Sequence, residues 1–139
     1  MAVMSDAVRA FLEGVHFGVV ATINADGTPQ QTVVWYTLRE GRILFNTRHG
    51  RLKDRNLRRD PRASFCVESA YFWVAVTGTV EIVDDQDAAQ ADMLEITRRY
   101  KSPAEAEKEH RELYSRQQRV SIFLTPEKVV TYGFEGDED

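Results

Sequence analysis

The sequence predicts an α+β protein, an antiparallel β-barrel of six to seven strands with helices at its edge. Three observations carry this. Hairpin turn signals join the early β-rich runs, most clearly Asp26-Gly27. No strand–helix–strand rhythm of a parallel sheet is present. A block after residue 84 changes to helical periodicity before β-rich character returns at the end.

The elements follow in order. Asp6 to Gly14 reads as a short amphipathic helix with Val8, Phe11 and Leu12 on one face and Gly14 placed to stop it. Phe17 to Ile23 is β-rich, as is Gln30 to Leu38 beyond the Asp26-Gly27 turn. A second turn at Arg39-Glu40-Gly41 leads into Arg42 to Thr47, so three strands in a meander are expected. Gly50 to Arg59 has helical spacing, with Leu52, Asn56 and Arg59 on one face, and Pro61 ends it. Ala63 to Glu68 and Trp73 to Val83 return to strand character, Gly78 marking a bulge or close approach. From Asp84, the stripe Ala89, Met93, Ile96 and Tyr100 predicts an amphipathic helix, its start favoured by Asp84, Asp85 and Asp87. Ser102-Pro103-Ala104-Glu105 is a capping-box sequence that opens a second helix to about Gln117. Arg119 to Thr125 and Lys128 to Tyr132 read as closing strands broken at Pro126. The sum is six or seven strands with two or three helices.

A length of 139 residues suits one domain spanning residues 1–139, with residues 135–139 as an acidic, disordered tail. Hydrophobic residues at 42% and charged residues at 29% are the balance of a soluble globular chain. No apolar run approaches the roughly 20 residues of a membrane helix, and the N-terminal residues lack a signal-peptide core. A cytoplasmic setting without membrane partners is the expectation.

Charge distribution is more informative than the total of −4. Between Arg48 and Arg62 lie seven basic residues opposed only by Asp54 and Asp60, which leaves +5 there and −9 on the rest of the chain. A compact positive spot on an acidic protein suits a small anionic ligand and argues against nucleic acid.

The catalytic inventory is thin. Nucleophile elbow, Walker loop and dinucleotide glycine fingerprint are missing from the sequence. Cys66 reads as a small core residue in a strand, His110 as a packing or surface residue, and no metal-ligand spacing is found. No side chain stands out as a catalyst, which points to a binding module or to an enzyme whose cofactor carries the chemistry. The strand–turn–helix from Thr47 to Asn56 is the best candidate site. Thr47 offers a hydroxyl, the helix opening offers free amides, and Arg51 and Lys53 offer charge-assisted donors to a phosphate. The strand edge from Gln31 through Thr32, Val33, Val34 and Trp35 suits a planar ring.

Three blocks also carry a resemblance. Phe45-Asn-Thr-Arg-His-Gly-Arg-Leu-Lys53 with the following run to Ser64, the earlier Gly18-Val-Val-Ala-Thr-Ile-Asn-Ala-Asp-Gly-Thr-Pro-Gln30, and the later Val74-Ala-Val-Thr-Gly-Thr-Val-Glu81 resemble the pyridoxamine-phosphate-oxidase-like split β-barrel family. The stretch Lys53 to Arg62 and the helical insert ending in Arg98-Arg99-Tyr100 are closest to the branch that uses the deazaflavin coenzyme F420. The resemblance covers roughly residues 11 to 132 and implies a homodimer with cofactor sites at the subunit interface. It places Lys53 and Arg51 on the cofactor phosphate, Thr47 at the end of the preceding strand, and Arg55 and Asn56 beside them. It runs Thr32, Val33, Val34 and Trp35 along the cofactor ring, and puts Trp73 where flavin-using relatives have a ring-contacting glutamine, reaching over from the partner subunit. The motifs by which the true oxidases grip pyridoxal phosphate have no match: Leu52 stands in place of an arginine, and a C-terminal tryptophan and arginine are missing. The implied activity is therefore an F420-dependent reductase acting on a small electron-poor organic substrate. An FMN-binding oxidoreductase of the same fold is the alternative, and a non-catalytic flavin or deazaflavin carrier is the third reading. Tyr36, Tyr71 and Tyr132 are the candidate proton donors.

Overall fold

The structure, a computed structural model, describes residues 2–136. Residues 137–139 of the expected acidic tail lie outside them. Its elements are α1 (Asp6–Glu13), β1 (Gly18–Ile23), β2 (Pro29–Val34), β3 (Tyr36–Arg39), β4 (Arg42–Arg48), α2 (Leu52–Arg59), β5 (Arg62–Ser69), β6 (Phe72–Val83), α3 (Gln86–Tyr100), α4 (Pro103–Glu112), a 3₁₀ turn (Tyr114–Arg116) and β7 (Arg119–Tyr132). Seven antiparallel strands form one sheet in the order β2-β1-β5-β6-β7-β4-β3. The described residues hold four α-helices, more than the two or three expected.

The turns behave as their chemistry requires. Between β1 and β2 the Asp26 carboxylate accepts the Thr28 amide at 3.0 Å, and Gly27 takes φ +89°. Between β3 and β4, Glu40 and Gly41 both have positive φ in a two-residue loop, the geometry that matches strand twist.

The predicted three-strand meander is corrected. The run from Gln30 to Leu38 is two strands that belong to opposite edges of the sheet, β2 pairing β1 and β3 pairing β4, with Trp35 alone between them. Two residue steps of extended chain span at most about 7 Å. The sheet must therefore curl until its edges meet at Trp35, and that seam makes it a split barrel.

Interior packing follows strand alternation. Val20, Tyr36, Phe45, Phe65, Val76 and Ile122 fill the barrel beneath Val8 and Leu12 of α1. The buried Tyr36 hydroxyl donates to the Leu12 carbonyl at 2.7 Å. On the outer side, Leu44 and Phe123 pack against Ile96, which fixes α3 to β4 and β7. The Ala89, Met93 and Ile96 stripe is buried as its periodicity predicts, and Tyr100 is half-buried.

Four further expectations change. Strand β7 is continuous through Pro126, because the register slips between Thr77 and Gly78 and the extra residue lies opposite them. Gly78 is required there: a Cβ would stand 1.9 Å from the Thr125 carbonyl oxygen. Helix α4 ends at Glu112 and yields to the 3₁₀ turn. In α2, Leu52 is exposed while Asp54, Asn56 and Leu57 are buried. Cys66 is exposed on the outward face of β5, the alternation placing Phe65 and Val67 inside instead.

Candidate cofactor site

A cavity of about 280 Å³ opens where the end of β2, the end of β4, the start of α2 and the start of β7 converge under the helical insert. One end is cationic. Thr47, Arg48, Arg51, Lys53 and Arg119 line it. The register of β4 on β7 sets Thr47 beside Val120 and Arg48 directly opposite Arg119. Like charges facing each other across a ladder oppose folding, so this pair is a cost the fold carries at its site.

Arg119 is buried at 7% exposure. It donates to Asn46 Oδ1 at 2.9 Å and to Gln117 Oε1 at 2.7 Å, and its guanidinium lies 5.0 Å from the Tyr114 ring centre. These partners are neutral. Among the described residues, Arg48, Arg51, Lys53 and Arg119 have no carboxylate partner. Burial pulls the Arg119 guanidinium down to about 10, with Arg51 and Arg48 adding to the effect. Burial likewise lowers the Lys53 ammonium below its ordinary value, helped by Arg51 and Arg119. An anion placed here relieves both penalties.

The loop carrying these groups is held from beneath. Gly50 takes φ +86° and its amide donates to the buried Asp54 carboxylate at 2.8 Å. The other oxygen of Asp54 accepts from Arg58 Nε at 2.8 Å. Arg51 is the N-cap of α2 and supplies no side-chain cap bond, so the first-turn amides remain available as donors.

The other end is apolar, formed by Val33, Val34, Trp35, Met93, Ile96 and Leu113. A second cavity of about 220 Å³ extends it past Phe17 and shares Val33, Val34, Trp35 and Tyr114 with the first. A single trough thus joins a cationic end to an aromatic one.

Six residues expected at a site are brought together here: Val33, Val34, Trp35, Thr47, Arg51 and Lys53. The rest are placed elsewhere in the chain. Thr32 lies on β2 with its hydroxyl oxygen buried and without a hydrogen-bond partner. Arg55 and Asn56 line a separate cleft against the β1–β2 turn. Asn56 is structural: its buried amide donates to Thr22 Oγ1 at 3.1 Å and to Asn24 Oδ1 at 2.9 Å. Trp73 stacks on Tyr132 at 6.1 Å and 8° from parallel, and lines neither cavity of the trough. None of the three expected proton donors lines the trough either. Tyr36 is buried in the barrel, Tyr71 is 82% exposed, and Tyr132 lies against Trp73.

The tyrosine that does line it is Tyr114, whose hydroxyl donates to Glu109 at 2.9 Å and whose proton is held up to about 12, chiefly by burial. Sequence reasoning missed Tyr114 along with Asn46, Gln117 and Arg119. One available signal was Arg119 itself, a lone cation at the head of an apolar strand.

Comparison with known proteins agrees with this fold. A conserved hypothetical protein from Mycobacterium tuberculosis is 30% identical, with a TM-score of 0.80 over 94% of this chain and 85% of that one. An F420 reductase is 27% identical, with a TM-score of 0.72 over 91% and 98% of the two chains. A heme binding protein from Mycobacterium smegmatis is 26% identical, with a TM-score of 0.68 over 100% of this chain but 58% of the other. Residues 4–132 match the profile of the family described as pyridoxamine 5'-phosphate oxidase, and the chain belongs to that family.

Proposed function

We propose that this protein is an F420-dependent reductase that binds its cofactor in the trough between Lys53 and Trp35 and reduces a small electron-poor organic molecule. The observation that carries the reading is the union, in one cavity, of an apolar wall and four cations without carboxylate partners among the described residues. The donor set fits the cofactor. Thr47, Arg51, Lys53 and Arg119 would hold its phosphate by charge-assisted bonds, and Val33, Val34 and Trp35 would flank its ring. The similarity to an F420 reductase supports the choice of deazaflavin.

When bound in its reduced form, the deazaflavin would supply a hydride to the substrate and be left oxidised. The chain's own contribution is orientation and exclusion of water. Met93, Ile96 and Leu113 of the helical insert cover the trough from one side, and the cations anchor the ligand at its far end. No side chain is assigned a catalytic role. Val15, Phe17 and Val33 are largely exposed beside the trough, which supports a homodimer whose second subunit covers the site, Trp73 of that subunit included.

The test is titration with F420 and FMN side by side, followed by a reductase assay over enones and quinones. Tight F420 binding with turnover supports the proposal. Preference for FMN transfers the reading to the FMN-binding oxidoreductase, and tight binding without turnover to a carrier.

A further inference from the structure

Trp35 is the one residue between the two edges of the sheet, and no strand pairing holds its backbone. The last turn of α3 holds it instead. The Tyr100 ring lies 5.0 Å from the Trp35 ring and 10° from parallel, and 5.9 Å and 19° from Phe17. Its hydroxyl accepts the Tyr36 amide at 3.1 Å and donates to the His16 carbonyl at 2.6 Å. Next to it, Arg99 donates to the carbonyls of Tyr36 at 2.9 Å and Gly14 at 3.0 Å. One turn of helix therefore grips the chain on both sides of the seam: the residues that lead into β1, and the first residue of β3. The Lys101 ammonium adds a contact 5.8 Å from the Trp35 ring.

We infer that Tyr100 is a positioning residue, a clasp that closes the barrel seam and sets the orientation of the Trp35 indole at the apolar end of the trough. Tyr100 lines neither cavity of the trough, so it acts through Trp35. Its effect on a ligand rests on the cofactor reading above, but its effect on the indole does not.

The experiment uses Trp73→Phe as background, which leaves Trp35 as the only indole. Near-UV circular dichroism, emission wavelength and acrylamide quenching of Trp35 are compared for Tyr100, Tyr100→Phe and Tyr100→Leu, with F420 titrations alongside. Tyr100→Leu is expected to lose the indole dichroic band and shift emission to the red. Its F420 affinity should fall about three- to tenfold, the range of a lost aromatic pair. Tyr100→Phe keeps the stack and hence the band, but frees the seam and raises quenching; it decides the matter if the leucine variant does not fold. Val74→Ala, a truncation in the barrel interior, should lower Tm and leave the indole signature unchanged. An unaltered signature in both Tyr100 variants, or an equal loss in Val74→Ala, overturns the clasp. If the chain with Trp73 intact binds no F420, the cofactor reading fails and the indole signals alone decide the clasp.

Discussion

Six of the seven basic residues from Arg48 to Arg62 divide into two populations, Arg55 lying apart in the cleft by the β1–β2 turn. On the flank of α2 away from the trough, Arg58 is bracketed by Asp54 at 2.8 Å and Asp84 at 2.6 Å, and Arg62 pairs with Asp60 at 2.8 Å. Arg59 there donates to the Ile23 carbonyl at 2.6 Å. On the trough side, Arg48, Arg51 and Lys53 meet Arg119 with no carboxylate among them. The proton affinities diverge accordingly. Hydrogen bonds donated to the carboxylates of Asp84 and Asp54 hold the Arg58 guanidinium above its ordinary value, whereas burial and neighbouring cations lower Lys53 and Arg119. Charge density along a sequence therefore marks a region, and missing counter-charge around one shared cavity marks the site within it; Arg55 and Arg59 also lack an ion-pair partner among the described residues but line the separate cleft. Asp54 sits between the populations, pairing Arg58 with one oxygen and ordering the trough loop with the other.

The sharpest probe of this division is Asp54→Ala, which strikes both sides at once. It should cost about 2–3 kcal/mol of folding stability in urea melts, because a buried charged acceptor leaves two donors unmatched. It should also weaken F420 binding through the disordered loop. Next, Lys53→Ala should reduce F420 affinity about 10- to 100-fold, the equivalent of one charge-assisted phosphate contact. The Tm of the ligand-free variant should not fall, since a half-buried charge without a carboxylate partner among the described residues has been removed. Arg58→Ala should do the reverse, lowering Tm while leaving affinity nearly unchanged; matching effects of the two variants would break the comparison.

A pH series gives a smaller but directional effect. Lys53 and Arg119 bind an anion only when protonated, so affinity should fall as pH rises through the lowered value of Lys53 and that of Arg119 at about 10. Stability runs the other way. A base with a lowered folded value binds fewer protons folded than unfolded, so its charge counts against folding at low pH. That penalty fades as pH rises from the folded toward the unfolded value. A flat affinity profile would remove these two groups from the site. Finally, Arg62→Ala should change neither Tm nor affinity measurably, because its own side chain is 69% exposed in the ion pair with Asp60.

Much of the fold was legible because it is locally encoded. Asp26-Gly27 and Glu40-Gly41 dictate their turns, the Ala89, Met93 and Ile96 stripe dictates a buried helix face, and Gly78 announces the point where no Cβ fits. The trough was half legible: Thr47, Arg51, Lys53 and the Val33-Val34-Trp35 run lie near one another along the chain. Arg119 and Tyr114 are more than 60 residues away from Lys53, and no local pattern ties them to it. Asn56 misled for a related reason, since a buried amide that pins two elements has the same composition as a ligand contact.

By itself the sequence determined what depends on neighbours in the chain: strand alternation, turn chemistry, helix stripes and caps, and the compact basic stretch. Tertiary structure alone decided what depends on residues far apart. Nothing in the continuous β-rich run from Gln30 to Leu38 breaks it, yet it divides at Trp35 because five other strands lie between the two edges that it joins. Which cations keep a carboxylate and which do not was settled the same way. Coulombic pairing acts over a few ångströms of space, and only the folded chain brings Asp84 to Arg58 and Arg119 to Arg48.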